Sequence, residues 1–280
     1  MAVIEMINSP GELHLIKKEL LPELAREIRE KIIETCSKTG GHIGGSLGAV
    51  ELITALHYTF DCPKDKIIFD VGHQSYAHKI LTGRYRQFST IRQYGGISGF
   101  PKISESEYDA FGTGHASTSI SAAFGIACAR DLKGENFKVV AVIGDGALTG
   151  GLAYEGLNNA GASGKNILVI LNDNSMFISP RVGAVGKMLT KLFTLGLVKR
   201  AEDSLINFLK KMKVLGLEIL KTARRLKAIL FPGMFFEELG FSCFGPIDGH
   251  NLNNLIFVLS KIRKFTGPVF LHVITKKGKG

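Results

Sequence analysis

The chain has 280 residues, 45% of them hydrophobic, with 33 glycines, four cysteines and a formal net charge of +10. That length and apolar content exclude a disordered chain and a small disulfide-stapled scaffold, and they suit one large domain with a sizeable core. The positive balance favours anionic ligands such as phosphates, and no apolar run approaches the roughly twenty residues that cross a bilayer.

The chain opens on Met1-Ala2-Val3-Ile4-Glu5-Met6, without a basic start, and soon meets Pro10 and charged residues. No secretory signal is expected, and the protein reads as soluble and cytoplasmic, an organelle requiring that a transit segment had been removed. In chain order, helical patterns are predicted over 22–37, 47–60, 118–131, 151–162 and 252–263, with strand-like apolar runs over 66–71, 138–143, 166–172 and 269–274. Continuously apolar strands separated by helices predict an α/β fold, a mostly parallel sheet with helices on both faces. The stretch 94–114 is turn-rich and reads as a connection. Residues 184–232 carry Lys199-Arg200, Lys210-Lys211 and Arg224-Arg225 between apolar residues at helical spacing, a basic helical insertion within a single domain spanning 1–280. It reads as a helical excursion packed on the domain or a partner subunit, as a cover near the site, or as a membrane- or nucleic-acid-binding segment. Cys36, Cys62, Cys128 and Cys243 form no Cys-x-x-Cys pair and read as free thiols.

Chemistry concentrates where two predicted strands end. The run Val142-Ile143-Gly144-Asp145-Gly146-Ala147 is answered twenty-nine positions after Asp145 by Asn174, at the end of the next strand. In parallel sheets ligands sit beyond the carboxyl ends of strands, so an anionic oxygen from Asp145 and a neutral one from Asn174 meet at one edge. Such a pair suits magnesium, which takes oxygen ligands and leaves places for phosphate and water. Small residues from Ala147 to Gly151 are expected to open a helix whose first amides face phosphate oxygens. Gly-Asp-Gly alone is also an ordinary turn between strand and helix; the second strand end favours a site.

Gly144-Asp145-Gly146 with Asn174 resembles the metal-diphosphate motif of thiamine diphosphate enzymes. Four further stretches narrow the resemblance: 37–42 (Ser-Lys-Thr-Gly-Gly-His), 69–84 from Phe69 to Arg84, 114–121 from Gly114 to Ser121, and 245–250 (Gly-Pro-Ile-Asp-Gly-His). Together they resemble the 1-deoxy-D-xylulose-5-phosphate synthase family, and they run through nearly all of the chain. The resemblance implies a thiamine diphosphate-binding fold and a transketolase-type transferase that condenses pyruvate with glyceraldehyde 3-phosphate, with loss of CO2, in isoprenoid precursor biosynthesis. It implies that thiamine diphosphate and Mg2+ are held by Asp145, Asn174 and the backbone carbonyl of Met176. Gly114, His115, Ala116, Gly146, Ala147 and Asn174 would line the cofactor and His73 would contact it. His42 would be catalytic, moving protons, a task suited to the near-neutral pKa of histidine. For His78 a helix-surface or capping role and a site role stand equally open; His14, His57, His250 and His272 read as packing or hydrogen-bonding residues.

Members of that family are longer, with pyrimidine-binding and C-terminal domains after the first. The resemblance therefore makes this chain the first domain or subunit of a homo- or hetero-oligomer, expected to be inactive alone, without nucleic-acid or membrane partners. Two alternatives stand beside it. The glycine-rich 40–47 leans towards a split transketolase, and a non-catalytic module retaining the cofactor fold is the other. Phe177 and Pro180 depart from the family's commoner small or polar choices after the Asn-bearing strand.

Overall fold

A computed structural model describes residues 2–174 and 234–280. The elements in order are α1 Pro10–Leu13, α2 Leu21–Thr39, α3 Ile43–Gly48, α4 Val50–Thr59, β1 Lys66–Phe69, α5 Tyr76–Lys79, α6 Ser119–Leu132, β2 Val139–Gly144, α7 Gly151–Ala162, β3 Ile167–Asp173, α8 Met234–Glu238, β4 Ser242–Asp248, α9 Leu252–Ile262 and β5 Pro268–Ile274. Met176, Phe177, Pro180 and the basic insertion at 184–232 lie outside the described residues.

The sheet has the order β1-β2-β3-β5-β4, and every neighbouring pair is parallel. Alternate strand residues feed opposite faces, as the two-residue side-chain period requires. Val140, Val142, Leu168, Ile170, Leu271 and Val273 join one core with α2, α4 and α9. Val139, Ala141, Ile143, Val169, Leu171 and Phe270 join another with α6, α7 and α8. Because both faces are covered, β1, β2, β3 and β5 lack polar alternation, and this is why they read as apolar runs.

The long helices follow from their spacing. In α2, Leu21, Leu24, Ala25, Ile28, Ile32, Thr35 and Cys36 are buried at steps of three and four, Pro22 stands in the first turn, and Gly40 ends the helix with φ 71. The predicted helix over 47–60 is two helices, α3 and α4, parted at Ala49 (φ −104, ψ 2). The fifth strand, β4, has no counterpart among the predicted runs. It is an edge strand carrying Gly245 and Pro246, with a register shift between Phe244 and Ile247, and an edge tolerates a proline that an interior strand would not. None of the four cysteines is in a disulfide, and burial pushes the Cys62 and Cys243 thiols up to about 12.

Candidate active site

Parallel strands bring their carboxyl ends to one edge, and the described metal and cofactor candidates lie at or beside it. Beyond β1 come Asp70, Val71, Gly72 and His73; beyond β2 come Asp145, Gly146 and Ala147; Asn174 follows β3. Gly144 of β2 pairs with Asn172 of β3, so Asp145 and Asn174 leave adjacent strand ends. Asp145 is 3% exposed. Among the described residues, no group of three or more histidine, cysteine, aspartate or glutamate side chains is gathered as metal ligands.

The loop holding Gly114, His115 and Ala116 is exposed, yet it is fixed before by the Thr113 amide on the Pro101 carbonyl at 3.2 Å and after by Ser117 and Ser119. Asp70, 1% exposed, accepts the Ser117 amide at 2.7 Å and the Ser119 amide at 2.9 Å. The Ser117 hydroxyl donates to the Ala147 carbonyl at 2.7 Å. Ser117 is held at φ 71, a left-handed conformation that costs energy for a non-glycine residue and persists where neighbours over-determine it. These bonds join the 114–116 loop to the 146–147 turn. Asp70 is the positioning residue that reading the sequence left without a role, and its signal there is an acid closing an apolar strand.

His42 caps the start of α3, its amide donating to the Tyr76 hydroxyl at 3.1 Å. Its ring lies 6.0 Å from that of His73 and 5.4 Å from that of Phe100, centroid to centroid. A Cβ on Gly45 would come within 2.8 Å of His73 Cδ2, so only glycine lets α3 approach that ring. Gly72, at φ +88, leaves no room for a Cβ, which would meet Thr113 Oγ1 at 2.3 Å and Pro101 Cδ at 2.5 Å. Of the glycines of 40–47, Gly45 is thus used in packing α3 against His73, while Gly41 packs on Tyr76 and Gly44 on Lys277. Burial, then the nearby His42 and Lys277, lower the His73 pKa to about 4. Burial first and Arg92 second also lower that of His42. Both rings are neutral near pH 7.

Both imidazoles keep a buried Nδ1 with no hydrogen-bond partner among the described residues, and Thr113 Oγ1 is in the same condition. Buried polar atoms left unsatisfied in a native fold call for a ligand, ion or water, so this edge fits a group rich in hydrogen-bonding atoms. One expectation is corrected: Ala147 does not open the long helix. Ala147–Thr149 is a separate 3₁₀ turn, α7 begins at Gly151, and the Thr149 and Gly150 amides are spent on the Gly146 and Ala147 carbonyls.

The remaining histidines lie elsewhere. His78 is neither on a helix surface nor at this edge; it is buried against Asp109 and His57. His250 accepts the Lys276 amide on Nε2 at 2.8 Å, so its Nδ1 carries the proton shared with Glu51 at 3.2 Å. His14 bonds the His57 carbonyl and His272 bonds Asp173.

A family model described as 1-deoxy-D-xylulose-5-phosphate synthase matches residues 4–275. Proteins named 1-deoxy-D-xylulose-5-phosphate synthase from Carboxydothermus hydrogenoformans and Caldanaerobacter subterraneus are 55% and 54% identical, each over 99% of this chain and 45% of their own length. A synthase 1 from Geobacter metallireducens is 53% identical over 100% of this chain and 45% of its own. The chain thus spans less than half the length of these relatives. Among solved structures, transketolase from Campylobacter jejuni superposes with a TM-score of 0.67 at 21% identity, covering 93% of this chain and 38% of that one. Transketolase from Leishmania mexicana gives 0.64 at 18%, covering 92% and 37%. At such identities these structures show the shared fold and nothing of the substrate. The chain belongs to the 1-deoxy-D-xylulose-5-phosphate synthase family and corresponds to its N-terminal part.

Proposed function

We propose that this chain is the cofactor-diphosphate-binding part of a 1-deoxy-D-xylulose-5-phosphate synthase, a thiamine diphosphate-dependent transferase of the transketolase type acting on pyruvate and glyceraldehyde 3-phosphate in the cytoplasm. The observation that carries the reading is the joining, at one sheet edge, of the 114–116 loop, the 146–147 turn and the His42–His73 pair with its unsatisfied nitrogens, in a chain of this family. In this reading Asp145, Asn174 and the Met176 carbonyl hold Mg2+. Gly114, His115, Ala116, Gly146 and Ala147 line the cofactor, and a neutral His73 donates a hydrogen bond to it.

Thiamine diphosphate, when bound, supplies the carbanion chemistry at the carbonyl carbon of pyruvate. The chain's own residues orient and exchange protons. His42 sits half-buried beside His73, and its lowered pKa leaves it neutral at pH 7, able to give a proton to or take one from a substrate oxygen. Asp70 keeps the loop that carries His115 in place through two amides. The rest of the active site is assigned to a chain or region carrying the pyrimidine-binding and C-terminal domains, in a homo- or hetero-oligomer.

The test is reconstitution. The chain is mixed with a polypeptide carrying those domains, together with Mg2+ and thiamine diphosphate, and product is measured from pyruvate and glyceraldehyde 3-phosphate. The expected outcome is synthesis with pyruvate as donor; turnover with a ketose phosphate donor in its place would overturn the assignment.

A further inference from the structure

Beneath the site the chain buries a closed set of charges. Lys79 and Asp109 are 0% and 2% exposed, and Arg84 and Glu105 complete the set. Glu105 pairs with Lys79 Nζ and, at 2.8 Å, with Arg84 Nη1. Asp109 receives Arg84 Nη1 and Nη2 and His78 Nε2, each at 2.8 Å. Two cations face two anions, so the set is neutral. Asp109 is held far below the usual carboxylate range, where burial alone would raise it, by the bonds from His78 and Arg84; it accepts only. His78 therefore donates through Nε2, and its Nδ1 accepts from His57 Nε2 at 2.8 Å.

Each acid also bonds its own segment. Glu105 accepts the Ser98 amide at 2.6 Å and Asp109 the Lys102 amide at 2.7 Å. The segment from Ser98 to Asp109 is thus wound onto the two inner cations. Between the two anchored amides stand Phe100, whose ring packs on His42, and Pro101, which with Thr113 closes over Gly72 next to His73. Buried ion sets add little to stability against apolar residues of the same size, because desolvation offsets the attraction, but they fix geometry. What this one fixes is the height of the wall behind His42.

We propose that Lys79, Arg84, Glu105 and Asp109 act as a positioning latch that sets the His42 imidazole through Phe100. The inference rests on His42 belonging to the site described above. The latch residues touch neither His42 nor any of the expected cofactor-lining residues; they act by holding Ser98 and Lys102. Loss of one anion leaves an unpaired cation inside the segment, which then moves outward, carries Phe100 from the ring and rehydrates His42. Of the charged and titratable groups around His42, His73 and Tyr76 lie outside the segment, whereas Arg92, which packs against Gly99 and bonds the Ile97 carbonyl at 2.9 Å, moves with it, and its withdrawal raises the His42 midpoint in the same direction as rehydration.

The test compares the full chain with Glu105→Gln and Phe100→Leu by NMR of the histidine ring carbons, with circular dichroism as the check of folding. In E105Q the His42 signals are expected to move in the same direction as in F100L and its titration midpoint to rise, while His250 and His272 stay put. In the reconstituted enzyme kcat falls about tenfold or more with KM for pyruvate unchanged, as expected of a misplaced proton-transfer group. A folded E105Q whose His42 signals match the wild type overturns the proposal. Should E105Q not fold, the paired replacement K79M/E105M removes both charges together and is read by the same signals. Absence of product with the wild-type chain would overturn the proposed function instead, and the NMR comparison would still decide the latch.

Discussion

Four histidines share one electrostatic sign. His42, His57, His73 and His78 all have pKa values lowered below 6.5 with burial as the first cause, that of His73 to about 4. In the unfolded chain these rings take up protons as the pH falls through about 6.5, whereas in the folded chain they remain neutral. The unfolded state then binds more protons, so stability falls with pH between about 6.5 and about 4. Asp109, depressed in the folded state, works at lower pH, its contribution being present above the ordinary aspartate pKa and lost as the pH falls towards its own. Urea unfolding midpoints are expected to drop steadily from pH 7 to pH 4.5, and a flat profile would contradict the burial of these rings. At Asp145 the expectation concerns binding: Asp145→Ala abolishes magnesium-dependent thiamine diphosphate binding by calorimetry in the reconstituted enzyme, and unchanged affinity would refute its role as a metal ligand.

At the scale of elements, α3 is the least ordinary piece. Its Ile43-Gly44-Gly45-Ser46 start has poor helix propensity, and the compensation is contact: His73 lies on Gly45, the Ser46 hydroxyl donates to the His73 carbonyl at 3.0 Å, and the Gly278 amide bonds the Gly44 carbonyl at 2.8 Å. Gly45→Ala adds helix propensity worth up to about 1 kcal/mol and places a methyl group against the His73 ring. The clash outweighs that gain, so the expected outcome is a lowered Tm with thiamine diphosphate affinity in the reconstituted enzyme weakened about tenfold; unaltered Tm and affinity would show that His73 has freedom to move. The edge strand β4 teaches a different lesson. Its Gly-Pro interruption hides it from any test of apolar periodicity, and its place is decided by pairing with β5.

Across the whole molecule, the proposed site is expected to be incomplete within this chain. Asp145 is buried and the histidine pair is set, but the chain covers 45% of its synthase relatives. The expectation is that the chain alone shows no turnover of pyruvate and glyceraldehyde 3-phosphate in a steady-state assay with cofactor and Mg2+, and that ordinary rates would refute the half-site reading. Among the described residues, four of the five strands and all five predicted helical regions were legible, α7 to the residue and 47–60 as a pair of helices, because unbroken apolar runs and helical spacing are local patterns. The placing of Asp145, Asn174 and His73 just beyond strand ends, and of His42 at a helix start, was legible because strand ends and glycine-flanked positions are local features too. Asp70, Phe100 and the Lys79–Arg84–Glu105–Asp109 set were not, since each acts on residues dozens of positions away.

The amino-acid order by itself determined the class of fold and the residue types gathered at the carboxyl edge of the sheet, because helix patterns, apolar runs and turn chemistry are read within a few neighbours. Only the tertiary structure decided that His78 turns inward to an ion set, that Ala147 belongs to its own turn, and that the 114–116 loop is tied to Asp70 and Ala147. Those outcomes depend on which distant groups share a low-dielectric interior, where an unpaired charge or amide is too costly to leave.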